Sequence, residues 1–181
     1  ESLIQKMGVD AAPVSRDLFS KASHAVFLKK LIEGHSCSFL CKPDCVGAQV
    51  SSVEEIESWV ANSAYPFCIL KAPFSTAGRE RVICNTSDEL FRKSWSAIRR
   101  LLCHHGSLVI EPWLERVKDF SMHYDMTEDG LVRRGIAIME NSHRGQFRRA
   151  TVTNRFTDGL EKDLRRALFA GSSPRGHLVD F

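Results

Sequence analysis

Lys71 closes the apolar run Phe67-Cys-Ile-Leu-Lys71 and opens a stretch of small, flexible residues, Ala72-Pro-Phe-Ser-Thr-Ala-Gly-Arg79. This order puts an ammonium at a strand end, facing a loop whose Ser75, Thr76 and Gly78 can present hydroxyls and backbone N–H groups. Arg79 adds a planar, two-pronged cation. Together these groups suit a polyphosphate. The order differs from the G-x-x-x-x-G-K-[ST] loop, because here the lysine precedes the small residues. A plain structural hairpin would carry the same residues, so both readings stay open at this point.

A second constellation is Leu108-Val-Ile-Glu-Pro-Trp-Leu114. Glu111 is a carboxylate at a strand end, and the proline after it forces its backbone into an extended path. Such a hinge can offer a carbonyl and an N–H to a purine edge, with Trp113 and Leu114 lining its face. The bland alternative is a hydrogen-bonded strand terminus. Asp119, Ser121 and His123 follow on one polar face, which either looks into the same cleft or simply faces water.

Six cysteines stand at 37, 41, 45, 68, 84 and 103. Cys37, Cys41 and Cys45, with His35 and Asp44 alongside, have ligand chemistry for zinc. They lack a second close pair, and nothing ties His104-His105 to them. Cys68 and Cys84 lie in apolar runs, where a reduced thiol behaves as a small hydrophobe. The set reads as that of a reducing, cytoplasmic compartment. The segment from Arg133 to Arg155 holds six arginines and one acid, Glu140. It is either a local anion-binding surface, with Arg148 or Arg149 as partner for a carboxylate or terminal phosphate, or a solvated hairpin. Nucleic acid is a weaker reading, since 25 basic and 22 acidic residues leave a net charge of only +3.

The elements that must position these residues follow from periodicity and caps. Ser15 is placed to cap a helix running to about Glu33, with Gly34 as its stop. A short extended stretch is expected at Cys37–Leu40. Ser52-Val-Glu-Glu55 reads as a capping box opening a helix with Ile56, Trp59 and Val60 on one face. Strands are expected at Phe67–Lys71, Arg81–Cys84 and Ser107–Glu111, and a helix signalled by Thr86 and Glu89 carries Leu90, Trp95, Ile98, Leu101 and Leu102. From Asp119 to Met126 the chain alternates strictly, predicting a strand with one buried and one polar face. Asp129-Gly130 turns it into Leu131–Met139. A further strand is expected near Phe147–Thr153 and a last helix from Asp158. This mixture predicts an α+β fold, with helices on one face of a largely antiparallel sheet.

The chain's 181 residues, 43% hydrophobic and 26% charged, suit one ordinary domain or two small lobes. No run approaches the roughly 18 apolar residues of a membrane helix, and the opening ESLIQKMGVD lacks a signal-peptide layout. The missing initiator Met is what a processed form or an excised piece would show.

Lys71-Ala-Pro-Phe-Ser-Thr-Ala-Gly-Arg79, Val109-Ile-Glu-Pro-Trp-Leu114 and Asp119-Phe-Ser121, in this order, resemble the ATP-grasp superfamily, from about Ser15 to the C-terminus. The resemblance implies two small α+β lobes gripping a nucleotide: residues 1–106 with the phosphate-binding loop 71–79, and residues 107–181. By it, Lys71 contacts the α- and β-phosphates, and Ser75, Thr76, Gly78 and Arg79 belong to a loop closing over the triphosphate. Glu111 accepts from the adenine amino group, the Trp113–Leu114 backbone reads the adenine edge, and Asp119 holds the ribose. A basic residue from the preceding helix is also implied, and His24 and Lys21 both lie near that place. The implied activity is ATP-dependent ligation of a small carboxylate to an amine or thiol, with ATP and Mg2+ as cofactors; a non-catalytic nucleotide-binding or assembly module is the alternative. Two departures stand out. Glu80 occupies a place where the family repeats a glycine. Gly176-His-Leu-Val-Asp180 resembles the start of the metal-binding segment, which implies Asp180 as a magnesium ligand, but no glutamate-x-asparagine element follows it. The chain as written is therefore expected to bind nucleotide weakly.

Overall fold

The computed structural model describes residues 15–34, 41–75, 79–87, 91–142, 145–153 and 161–162. The chain divides into two compact units, 1–114 and 115–181. Both contain a wholly antiparallel sheet. Among the described residues no helix is long and apolar enough to cross a membrane.

The first unit holds α1 (Lys21–Glu33), β1 (Ala48–Val50), α2 (Val53–Ala61), β2 (Phe67–Lys71), β3 (Arg81–Asn85), α3 (Trp95–His105) and β4 (Leu108–Pro112), with strand order β1-β4-β2-β3. Its central strands, β2 and β4, are buried on both faces, and strand parity divides them. Cys68 and Leu70 of β2, Leu108 and Ile110 of β4, Val50 and Cys84 pack with Ile56 and Val60 of α2 and Ile98 of α3. The other parity, Ile69 and Lys71 with Val109 and Glu111, lies toward α1, which packs on β1 and β4. Helices thus flank both faces rather than one. β4 belongs to this unit because it pairs with β1 and β2, so the unit runs to Leu114, past the division at 106/107 drawn from the sequence.

Local chemistry sets the helix ends. Ser52 caps α2 by accepting from the Glu55 N–H at 3.2 Å, while the Glu55 carboxylate reaches back to the Ser51 N–H at 2.6 Å. Gly106 ends α3 in a left-handed conformation, φ 72, where its N–H meets the Leu102 carbonyl. The helix expected from Ser15 is instead broken in two. Ser15 caps only a 3-10 turn, Arg16–Phe19; buried Ser20 is extended, and the Lys21 N–H bonds the Pro73 carbonyl at 3.0 Å. That long-range bond takes the donor a continuous helix would have used. Residue 89 and the Cys37–Leu40 and Asp158 segments lie outside the described residues; α3 itself begins at Trp95.

The second unit is a meander of β5 (Asp119–Thr127), β6 (Gly130–Asn141) and β7 (Phe147–Thr153). Gly130, at φ 117, leads out of the tight turn between β5 and β6. The expectation of one buried and one polar face for β5 is not met: Phe120 and Tyr124 are exposed and Met126 is 87% exposed. A register shift between His123 and Tyr124 interrupts the alternation, and burial in this sheet is concentrated on Ile136, Ala137 and Ile138 of β6.

Candidate functional site

The last residue of β2 and the fourth of β4 form the centre of the candidate site. Ile69 stands opposite Glu111 and Lys71 opposite Val109, so Lys71 and Glu111 are diagonal neighbours on one face. Their side chains form an ion pair, each about one quarter exposed. Gly47 packs beneath them. A Cβ there would lie 2.7 Å from the Ile110 carbonyl and 2.9 Å from Glu111 Cβ, so only glycine lets this segment approach β4. Gly47→Ala is expected to lower stability by about 1–3 kcal/mol through overpacking, read as a lower urea midpoint with unchanged slope. A midpoint equal to wild type would show that the contact is not tight.

The facing wall comes from α1. Lys21, His24, Ala25 and Leu28 line, with Cys45, Val46, Gly47, Lys71 and Glu111, a cavity of about 190 Å³. Lys21 Nζ donates to the Ser75 carbonyl and lies 3.2 Å from Ser75 Oγ, tying α1 to the start of the small-residue loop. Burial lowers the pKa of the Lys21 ammonium from its ordinary value, partly opposed by the Glu80 carboxylate. Such a desolvated cation gains most from an anionic ligand. His24 Nε2 instead contacts the Leu18 carbonyl at 2.6 Å, holding the 3-10 turn against the helix. Of the two basic candidates on α1, Lys21 is the one that reaches the loop. A larger open cleft of about 890 Å³ lies elsewhere in the unit, with Phe27, Lys30, Phe74 and the two histidines of α3 on its walls. It lacks the Lys71–Glu111 pair.

Of the expected loop residues, Ser75 is partly buried and Arg79 exposed, while Thr76 and Gly78 lie outside the described residues. Glu80 takes the left-handed backbone, φ 48, that a glycine there would adopt at no cost. The Trp113 N–H donates to the Phe67 carbonyl at 2.9 Å, so this donor is committed within the fold. Leu114 is 40% exposed. In the second unit, Asp119 accepts from Arg116 at 3.1 Å and from the Asn141 amide. Arg149 pairs with Glu140 at 2.8 Å and Arg134 with Asp125, so part of the arginine-rich hairpin is neutralised internally. Glu140 is held below the usual carboxylate range by its bond to Arg149.

The cysteine expectations divide. Cys68 and Cys84 face each other across β2 and β3 as buried thiols, the Cys68 thiol pushed up by its bond to Cys84 and by burial. Cys45 Sγ lies 3.0 Å from the Tyr65 hydroxyl, whose pKa that bond helps push up to about 12. Cys37 lies outside the described residues. Glu111 is the one carboxylate among the described lining of the smaller cavity and is paired with Lys71; Asp180 lies outside the described residues.

No protein-family profile and no curated protein sequence matches the chain. Solved structures do. The N5-carboxyaminoimidazole synthetase of Staphylococcus aureus, complexed with ADP, superposes with a TM-score of 0.54 at 17% identity over 72% of this chain and 31% of its own. Biotin carboxylase from Campylobacter jejuni, in a β,γ-ATP complex, gives 0.57 at 15% identity over 80% and 32%. The biotin carboxylase domain of Hydrogenobacter thermophilus 2-oxoglutarate carboxylase, with MgADP, ADP and bicarbonate, gives 0.56 at 20% identity over 80% and 32%. The chain spans about a third of the length of these proteins. Identities this low speak for the fold alone, and that fold is the ATP-grasp fold.

Proposed function

We propose that this chain is the ATP-binding core of a ligase that joins a small carboxylate to an amine or thiol through an acyl phosphate. The observation that carries the reading is the convergence of Lys71, Lys21 and Glu111, from three elements, on one pocket of a fold whose relatives were solved with adenine nucleotides. Lys71 and Lys21 hold phosphate oxygens, and Ser75, Thr76, Gly78 and Arg79 close over the triphosphate. Glu111 accepts from the adenine amino group. The Trp113–Leu114 backbone reads the adenine edge, with the Trp113 N–H itself bonded to the Phe67 carbonyl. Asp119 takes the ribose hydroxyls. ATP enters as its magnesium complex, and Asp180 is the residue proposed to meet that ion.

In the first step a carboxylate oxygen attacks the γ-phosphorus and ADP leaves. In the second an amine or thiol attacks the acyl carbon and inorganic phosphate departs. Little proton chemistry is asked of the protein; positioning and charge stabilisation supply the rate. The full-length gene product, incubated with Mg-ATP, amines and a panel of carboxylates labelled with oxygen-18, tests this. One labelled oxygen per released phosphate is expected in the active mixture. Carboxylate-dependent ADP formation with unlabelled phosphate would exclude the acyl phosphate, and the absence of carboxylate-dependent ADP formation across the panel would sink the ligase reading.

A further inference from the structure

We propose that Glu80, His104 and His105 form a site for a divalent transition-metal ion of the zinc class, separate from the nucleotide pocket. One ligand atom from each residue lies within 4.8 Å of the other two. His105 Nε2 is 3.3 Å from Glu80 Oε1, close to the spacing of about 3.4 Å between ligand atoms on a tetrahedral ion with bonds near 2.0–2.2 Å. The His104 and His105 rings meet edge to face, 88° apart with centroids at 4.6 Å, so their nitrogens can approach one point from different directions.

The polar bookkeeping points the same way. His105 Nε2 is sealed from solvent yet has no hydrogen-bond partner among the described residues, despite its distance to Glu80. A ring nitrogen buried without a hydrogen bond is costly, and a cation shared with the exposed Glu80 carboxylate would satisfy it. The histidines end α3, where the helix dipole favours positive charge. Both histidines also line the cleft of about 890 Å³. Two imidazoles and one carboxylate suit zinc, cobalt or nickel, whereas magnesium asks for oxygen ligands in octahedral array. The Glu80 carbonyl accepts from the Ala72 N–H at 3.0 Å and so closes the base of the loop between β2 and β3. An ion on Glu80 would fasten that base to the end of α3.

Cobalt(II) titration of the purified chain at pH 7.5, followed in the visible spectrum, tests the site. The expected result is one ion per chain, d–d bands without thiolate charge transfer, displacement by zinc and none by magnesium. His104→Ala and Glu80→Gln, both at exposed residues, should each weaken binding by at least about tenfold with circular dichroism unchanged. Unchanged affinity in both variants, no binding at millimolar cobalt, or a thiolate band placing the ion on cysteines such as Cys41 and Cys45 would overturn the proposal. None of these readouts depends on nucleotide, so failure here is distinguishable from failure of the ligase reading.

Discussion

Lys71→Ala is expected to weaken ATP binding by roughly 10- to 150-fold, the equivalent of the 1.5–3 kcal/mol that a hydrogen bond to a charged group contributes. The ammonium sits at the end of β2 on the cavity wall, opposite Lys21, so both cations would hold the same chain of phosphates. Its partner without nucleotide is Glu111; binding therefore exchanges one carboxylate for a more highly charged group. Stability should respond far less. Both side chains of the pair are about one quarter exposed, water can solvate the Glu111 left behind, and such pairs contribute about 1 kcal/mol or less. Isothermal titration with ATP and a thermal scan of the same variant separate the two effects. A variant that binds ATP as well as wild type but melts much lower would make Lys71 a structural residue and remove it from the site.

Ile110→Ala is expected to have the largest effect on folding, about 2–5 kcal/mol. Ile110 is fully buried at the middle of β4, paired to Ala48 on one side and Leu70 on the other, within the cluster that includes Ile56 and Ile98. Truncation leaves a void that neighbours on three elements cannot all collapse to fill. Urea denaturation followed by fluorescence of Trp59 and Trp95, which pack on this cluster, reads the loss directly. A change below about 1 kcal/mol would mean that the layer of helices on this face is loosely packed.

Much of the first unit was legible because its signals are local. Phe67–Lys71 is a short apolar run bounded by proline on either side of its flanks, and Ser52 with Glu55 is a cap whose two bonds form within four residues. Lys71 and Glu111 announced themselves by lying at strand ends next to breakers. What was not legible depended on contacts distant in sequence. The break at Ser20 follows from a bond to Pro73, and the reach of Lys21 to the loop joins residues 54 apart. No local pattern distinguishes Lys21 from His24. Glu80 read as a poor substitute for glycine; that it lies against the end of α3 emerges only once β3 and the helix are placed together. In β5, strict alternation could not reveal the register shift after His123, which belongs to the pairing with β6 rather than to the strand itself.

The central claim is that nucleotide binds at the Lys71–Glu111 face, and amide hydrogen exchange with and without saturating Mg-ATP tests it most directly. Slower exchange is predicted in the segments around Leu70–Ser75 and Glu111–Leu114, with the α2 and α3 cores unchanged. Protection confined to the arginine-rich strand Phe147–Thr153, or no protection anywhere at millimolar ATP, would contradict the account.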